Sequence, residues 1–213
     1  MNKNPVKNTV YLNNNIIITG PNASGKTTIL KTSLINIILT QQIGCGFYKK
    51  AKLTPFKFIH CYLNIPDTSG RDSLFQAEAR RCKNILDIIH ENKNETHFCA
   101  FDELYSGTNP DEAVSSASAF MKYLITFKHV NCMLTTHFIE LCKYLETTNS
   151  FQNCHMETKP INNNNDSETY GDKDFKYTYL LKKNISTVSG GIKVLKDMNY
   201  PNEIIMDSLS RKI

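Results

Sequence analysis

The chain has 213 residues, 40% hydrophobic and 21% charged, with a formal net charge of +5. That length supplies one substantial core and excludes several, so a single domain over residues 1–213 is expected. The mild positive charge permits an anionic partner without specifying nucleic acid, no apolar run approaches the length of a membrane span, and no secretory leader is expected. The seven cysteines are odd in number and contain no C-x-x-C pair. Most sit in apolar stretches, which favours buried free thiols over disulfides or zinc and places the chain in an intracellular reducing compartment.

In chain order, Val10-Tyr11-Leu12 and Ile16–Thr19 are predicted as two strands hinged at Asn13-Asn14-Asn15. Gly20-Pro21-Asn22-Ala23-Ser24-Gly25-Lys26-Thr27 follows directly and fits G-x-x-x-x-G-K-[ST]. A helix is predicted over residues 25–39, stopped by the glycines at 44 and 46. Phe58–Tyr62 reads as a strand, Ser73–His90 as a helix, Asn92–Glu95 as a polar turn and His97–Phe101 as a short apolar strand. Pro110 opens a helix running to about Tyr123, where its missing N–H costs little. Val130–Thr135 is a strand and Phe138–Leu145 a short helix. Strands Phe151–Thr158 and Phe175–Leu181 flank an asparagine-rich stretch, Ile161–Glu168, predicted as a disordered hairpin insertion. Gly190–Asn199 and Asn202–Arg211 are short helices split by Tyr200-Pro201. Strands alternating with helices predict an α/β fold, its sheet covered on both faces.

The chemistry lies at strand ends. A buried strand entering a glycine-permitted turn aims backbone amides at phosphate oxygens, and the next helix starts with its positive end on the same anion. Lys26 would reach the β/γ-phosphates and Thr27 would hold Mg²⁺, so the chain is expected to bind a nucleoside triphosphate. Phe98-Cys99-Ala100-Phe101-Asp102-Glu103 is an apolar strand ending in adjacent carboxylates. Asp102 can bind Mg²⁺ through water beside Thr27, and Glu103 can polarise the attacking water, which favours an ATPase over a small-molecule kinase. His137, after the strand ending at Thr135, is placed to sense a γ-phosphate or orient water. His60, His90, His97, His129 and His155 show no comparable arrangement and read as structural or surface residues.

With these motifs in order, the chain resembles the ATPase domain of the MutS mismatch-repair family. Ile18-Thr19-Gly20-Pro21-Asn22 through Thr28 is similar to that family's P-loop, and Gln42-Ile43-Gly44 to the step after its P-loop helix. Ser69-Gly70-Arg71-Asp72-Ser73-Leu74-Phe75-Gln76-Ala77-Glu78 resembles its signature segment. Asp102-Glu103 with Ser106-Gly107-Thr108-Asn109-Pro110 resembles its Walker B and D-loop, and Thr136-His137 its Thr-His switch. Three departures stand out: Ser24 where the family carries glycine, Thr27 where it carries serine, and Asp72-Ser73 where it carries serine-threonine. Thr27 keeps the metal-binding hydroxyl, whereas Asp72 puts an acid near phosphate.

The resemblance implies an ABC/MutS-type P-loop sheet with a short C-terminal helical element, residues 195–213, as a candidate dimerisation element. It implies ATP and Mg²⁺ as cofactors: Pro21, Asn22, Ala23, Ser24, Gly25, Lys26, Thr27 and Thr28 around the phosphates, Val6, Lys7 and Asn8 near adenine, Thr27 and Asp102 on the metal, and Lys26, Glu103 and His137 in hydrolysis. It implies a homodimer in which Ser73 faces the partner's nucleotide, serving DNA mismatch repair or other DNA handling. Double-stranded DNA would be reached through regions of a full-length protein that these 213 residues do not contain. Asp72 keeps open a nucleotide-dependent dimerisation module with little turnover. A transporter ATPase would need Leu-Ser-Gly-Gly-Gln, which does not occur, and Ser189-Gly190-Gly191 follows the histidine motif, in the wrong order.

Overall fold

The computed structural model describes residues 4–63, 73–161, 175–186 and 188–210. The elements run β1 (Asn15–Thr19), α1 (Lys26–Ile43), β2 (Phe58–Tyr62), α2 (Leu74–Glu91), β3 (His97–Asp102), α3 (Pro110–Leu124), β4 (Val130–Thr135), α4 (Ile139–Glu146), β5 (Phe151–Pro160), β6 (Phe175–Lys183), α5 (Gly191–Asp197) and α6 (Asn202–Ser210). The strands form one six-stranded sheet in the order β2-β3-β4-β1-β5-β6. Every neighbouring pair is parallel except β5–β6. Each parallel pair needs a crossover, and the intervening helices supply it while covering the sheet.

The two faces separate by residue parity. Ile16 and Ile18 of β1, Phe98 and Ala100 of β3 and Met133 of β4 pack with Ile29, Leu30, Leu34 and Ile37 of α1. Ile17, Cys99, Phe101, Cys132 and Leu134 point the other way, into the apolar stripes of α2, α3 and α4. Successive side chains of a strand alternate faces, so continuous apolar runs are what a sheet buried on both sides requires.

Local chemistry sets the helix limits. Ser73 caps α2 with a reciprocal box: its Oγ accepts from Gln76 N and its own N–H donates to the Gln76 side chain. Asn109 caps α3 by accepting from Glu112 N at 3.0 Å, with Pro110 at the first helical position and Asp111 and Glu112 on the positive helix end. Gly44, at φ 72°, stops α1 and donates to Thr40 O.

The sequence expectation fails in one element. Val10-Tyr11-Leu12 is not a strand. Both edges of β1 are occupied, by β4 and β5, so no ladder remains for it there. It runs as irregular chain, with Val10 and Leu12 packed on the α1-side core and Leu12 O accepting from Asn131 Nδ2 at 3.0 Å. Helix α1 also runs past residue 39 to Ile43, its last turn tied down where the Gln41 side chain bonds Phe56 N and Phe56 O. The asparagine run beyond Ile161, and Arg211, lie outside the described residues. All seven cysteines are free, and five of them are buried. Among the described residues no helix is long and apolar enough to cross a membrane.

Candidate functional site

The carboxyl ends of β1, β3 and β4 meet at one edge of the sheet, where Asp102 stands in register with Thr135 and Ile18 with Thr135. Open parallel sheets bind ligands at this edge. The chain leaves β1 at Thr19 and turns through Gly20 at φ 147°, Ala23 at φ 62° and Gly25 at φ 99°. A side chain at Gly20 would sit 2.8 Å from Ser24 Oγ. Gly25 is the N-cap of α1 and has no side-chain acceptor to offer the helix. The first main-chain bond into the helix is Ile29 N to Gly25 O at 3.0 Å, which leaves the amides of Lys26, Thr27 and Thr28 outside the intrahelical ladder.

Side chains from three strand ends converge there. Lys26 is 5% exposed; its Nζ donates to Gly20 O at 2.9 Å and lies 3.8 Å from Glu103 Oε1. Thr27 Oγ1 donates to Asp102 Oδ1 at 3.0 Å, and Thr135 Oγ1 donates to the same oxygen. His137 Nδ1 lies 3.9 Å from Glu103 Oε1. Glu103 takes φ 52°, a left-handed conformation that costs a non-glycine residue about 1–2 kcal/mol, and its N–H donates to Thr135 O at 3.0 Å. Strain of this kind at a cluster of charges is characteristic of functional sites.

The electrostatics follow from this geometry. His137, its Nδ1 3.9 Å away, is the main influence holding the Glu103 carboxyl below its ordinary value; burial opposes it and Lys26 assists. Burial lowers the Lys26 ammonium, against the pull of Glu103 and Asp102.

The residues present fit a phosphate and a hard cation. Ser24 Oγ is buried without a hydrogen-bond partner inside the loop. A threonine hydroxyl beside one carboxylate is an all-oxygen donor pair of the kind Mg²⁺ takes when phosphate supplies further ligands. Among the described residues no cluster of three or more His, Cys, Asp or Glu could hold a metal on its own, so a cation here would depend on those phosphate ligands.

The other expected site residues are placed differently. Pro21 is buried, whereas Asn22 and Ala23 of the loop and Thr28 of α1 are exposed. Val6 and Lys7 are exposed, while Asn8 spends its amide on β6, donating to Tyr179 O at 2.9 Å and accepting from Leu181 N at 2.7 Å. Ser73 Oγ is engaged in its own helix cap, 3.3 Å from Gln76 N. Residues Ser69–Asp72 of the signature-like segment lie outside the described residues. The structure adds Tyr179, whose ring would be 3.3 Å from a side chain at Gly25, and Gly190, where an added Cβ would meet Pro21 Cβ at 2.6 Å. Neither stood in a motif; only the antiparallel return of β6 and the fold-back of α5 bring them to the loop.

A family model described as MutS domain V matches residues 16–212. The chain is 30% identical to MutS protein homolog 4 of Mus musculus over 210 residues, covering 96% of this chain and 21% of that protein. It is 29% identical to the Homo sapiens protein of the same name over 209 residues, with the same coverage of 96% and 21%. It is 33% identical to Endonuclease MutS2 of Streptococcus pyogenes over 158 residues, 72% of this chain and 20% of that protein. The chain therefore spans about a fifth of the length of these curated relatives. With a family model covering nearly the whole chain, and with the motif residues gathered at one sheet edge, the chain belongs to the MutS family.

Proposed function

We propose that this chain is the ATPase module of a MutS-family DNA-handling protein, binding Mg-ATP at the β1–α1 loop and hydrolysing it to ADP and phosphate. The observation that carries this reading is the hydrogen bond from Thr27 to Asp102, which joins the two halves of a nucleotide site across 75 residues of chain. Bound Mg²⁺ would supply charge neutralisation at the phosphates, with Thr27 and Asp102 as its protein partners. Lys26 would leave Gly20 O for phosphate oxygens, and the amides at the start of α1 would complete the anion cradle. Glu103, kept ionised by His137 and Lys26, would orient and polarise the attacking water. His137 would register whether a γ-phosphate is present, because it shares Glu103 with Lys26. Exposed Tyr179 and Val6 would offer apolar surface to the base.

In a homodimer each nucleotide would lie between this surface and the Ser73 segment of the partner, and the α5–α6 pair would add contact. Double-stranded DNA would be the partner of the larger assembly, a reading supported by the chain's membership of the MutS family. A module that dimerises on nucleotide with little turnover is the second reading, favoured by Asp72, whose acid would oppose phosphate across such an interface. Titration calorimetry of Lys26→Ala tests the first element of both: loss of detectable ATP binding supports the site, and parent affinity in the variant refutes it. Phosphate release by the parent chain then separates turnover from mere binding.

A further inference from the structure

Glu78 is 2% exposed on the second turn of α2, away from the cluster described above. A carboxylate so buried must be partnered, and three of its hydrogen bonds come from one loop. Oε1 accepts from Ser106 N at 3.1 Å and from Ser106 Oγ at 3.0 Å, and Oε2 accepts from Gly107 N at 3.1 Å. Two carboxylate oxygens thus grip two successive amides of the segment that follows Glu103.

The rest of that segment is seated with equal care. Tyr105 takes φ 58°, its N–H donates to Tyr62 Oη at 3.2 Å, and its ring lies 5.6 Å from that of Phe75. A side chain at Gly107 would meet Leu74 Cγ at 2.6 Å and Phe75 N at 2.9 Å, so the loop lies directly on the first turn of α2. Glu103 and Tyr105 both hold left-handed conformations that the chain would not keep without such fixing. The same first turn of α2 is capped by Ser73.

We propose that Glu78 is a positioning residue for hydrolysis: it clamps Ser106 and Gly107 onto α2 and so locks the backbone from Glu103 to Gly107, fixing where Glu103 is aimed and tying it to the helix end that carries Ser73. The proposal rests on the ATPase reading. Glu78→Gln keeps the shape but turns one acceptor into an NH₂ group facing donors, so one end of the clamp must open.

The full 213-residue chain and its Glu78→Gln variant are compared by calorimetric Mg-ATP titration, by kcat and by amide hydrogen exchange. The expected result is Mg-ATP affinity within about twofold of the parent, kcat lower by about 10- to 100-fold, and faster exchange at residues 103–107. Ser106→Ala, which keeps both amides on the carboxylate, folds normally and shows the same pattern at about two- to threefold in kcat. A folded Glu78→Gln variant with parent kcat, whatever its exchange, overturns the role of Glu78 while the ATPase reading stands. Equal loss of affinity and kcat in Glu78→Gln also overturns it, because the residue would then be supporting the fold and not the aim of Glu103. A parent chain that neither binds nor hydrolyses ATP overturns the ATPase reading, and this role with it.

Discussion

Thr27 Oγ1 and Asp102 Oδ1 stand 3.0 Å apart, although 75 residues separate them along the chain. Thr135 also donates to that oxygen, so Asp102 is fixed by two hydroxyls, one from α1 and one from the neighbouring strand β4. A hydroxyl and a carboxylate held this way are set to share a cation. Replacing Thr27 by valine removes the hydroxyl with little change in volume. Mg²⁺-dependent ATP affinity is expected to fall by about tenfold or more, whereas binding of ATP with EDTA changes little. An unchanged Mg²⁺ dependence in titration calorimetry would place the cation elsewhere.

Glu103 is the proposed water-orienting group. Glu103→Gln should bind Mg-ATP like the parent while hydrolysis falls about 100-fold or more. Its carboxyl is held below the ordinary value chiefly by His137, so it stays ionised to lower pH than a free glutamate. The acid limb of the rate profile should therefore lie below the ordinary glutamate range. In His137→Ala it should move up, because the main influence holding the carboxyl down is gone. Phosphate release at the parent rate by Glu103→Gln would remove Glu103 from the role.

The motif residues were legible because their chemistry is local: an apolar strand, a glycine turn and a lysine-threonine pair are adjacent in sequence, and so are Asp102 and Glu103. The pattern of buried strands was legible for the same reason, since each is a short apolar run bounded by turns. The failure at Val10–Leu12 is one of competition. The run has the composition of a strand, but the edges of β1 are taken by β4 and β5, a long-range fact that composition does not carry. Nothing in the sequence sets Glu78 apart from the rest of the signature-like segment, because a glutamate on a helix ordinarily faces water. Its burial arises from a loop 28 and 29 residues further on. Tyr179 and Gly190 are brought to the β1–α1 loop by the last third of the chain, at distances no local pattern encodes.

A second titrating site lies at the far sheet edge. His60 Nε2 and His97 Nδ1 are 3.0 Å apart, and His97 Nε2 is 3.0 Å from Asn92 O. A carbonyl only accepts, so with both rings neutral His97 carries its proton on Nε2 and His60 donates to His97 Nδ1. Burial, with the neighbouring His97 and Arg81 charges, lowers His60 to about 4 from 6.5. The folded value lies below the unfolded one, so the unfolded chain takes up the proton first. This contribution is full above about pH 6.5 and is lost as pH falls toward about 4, at about 1.4 kcal/mol per pH unit. Urea unfolding should show about 1 kcal/mol less stability at pH 5.5 than at pH 7. His60→Phe should be less stable at pH 7 by about 1–3 kcal/mol, because His97 Nδ1 is stranded, but nearly flat over that interval. Equal slopes in parent and variant would assign the proton uptake to other groups.

The last prediction concerns assembly. Helix α6 buries Ile205 but leaves Ile204 and Met206 exposed at 45% and 63%, and Met198 and Tyr200 before it are exposed at 64% and 42%. Packed against α5, the element thus buries one apolar side chain and leaves others open to a partner. Gly190, the N-cap of α5, rests on Pro21 of the β1–α1 loop, and α5 packs against α6, so a chain of contacts runs from the loop to this surface. Sedimentation should find the chain largely monomeric without nucleotide. Glu103→Gln with saturating Mg-ATP should shift toward dimer, because a ligand that binds the dimer preferentially at about 100 times its Kd favours it by about 2.7 kcal/mol per site. Ile204→Glu should lose the shift while keeping monomer affinity for ATP, and Ser73→Ala should weaken it if the partner's nucleotide is contacted. Gly190→Ala should impair ATP binding itself, since its Cβ must displace Pro21. A chain that stays monomeric at every concentration, yet hydrolyses ATP at a concentration-independent specific rate, would show that the site is complete within one copy and that the exposed apolar face of α6 serves something other than a second copy of this chain.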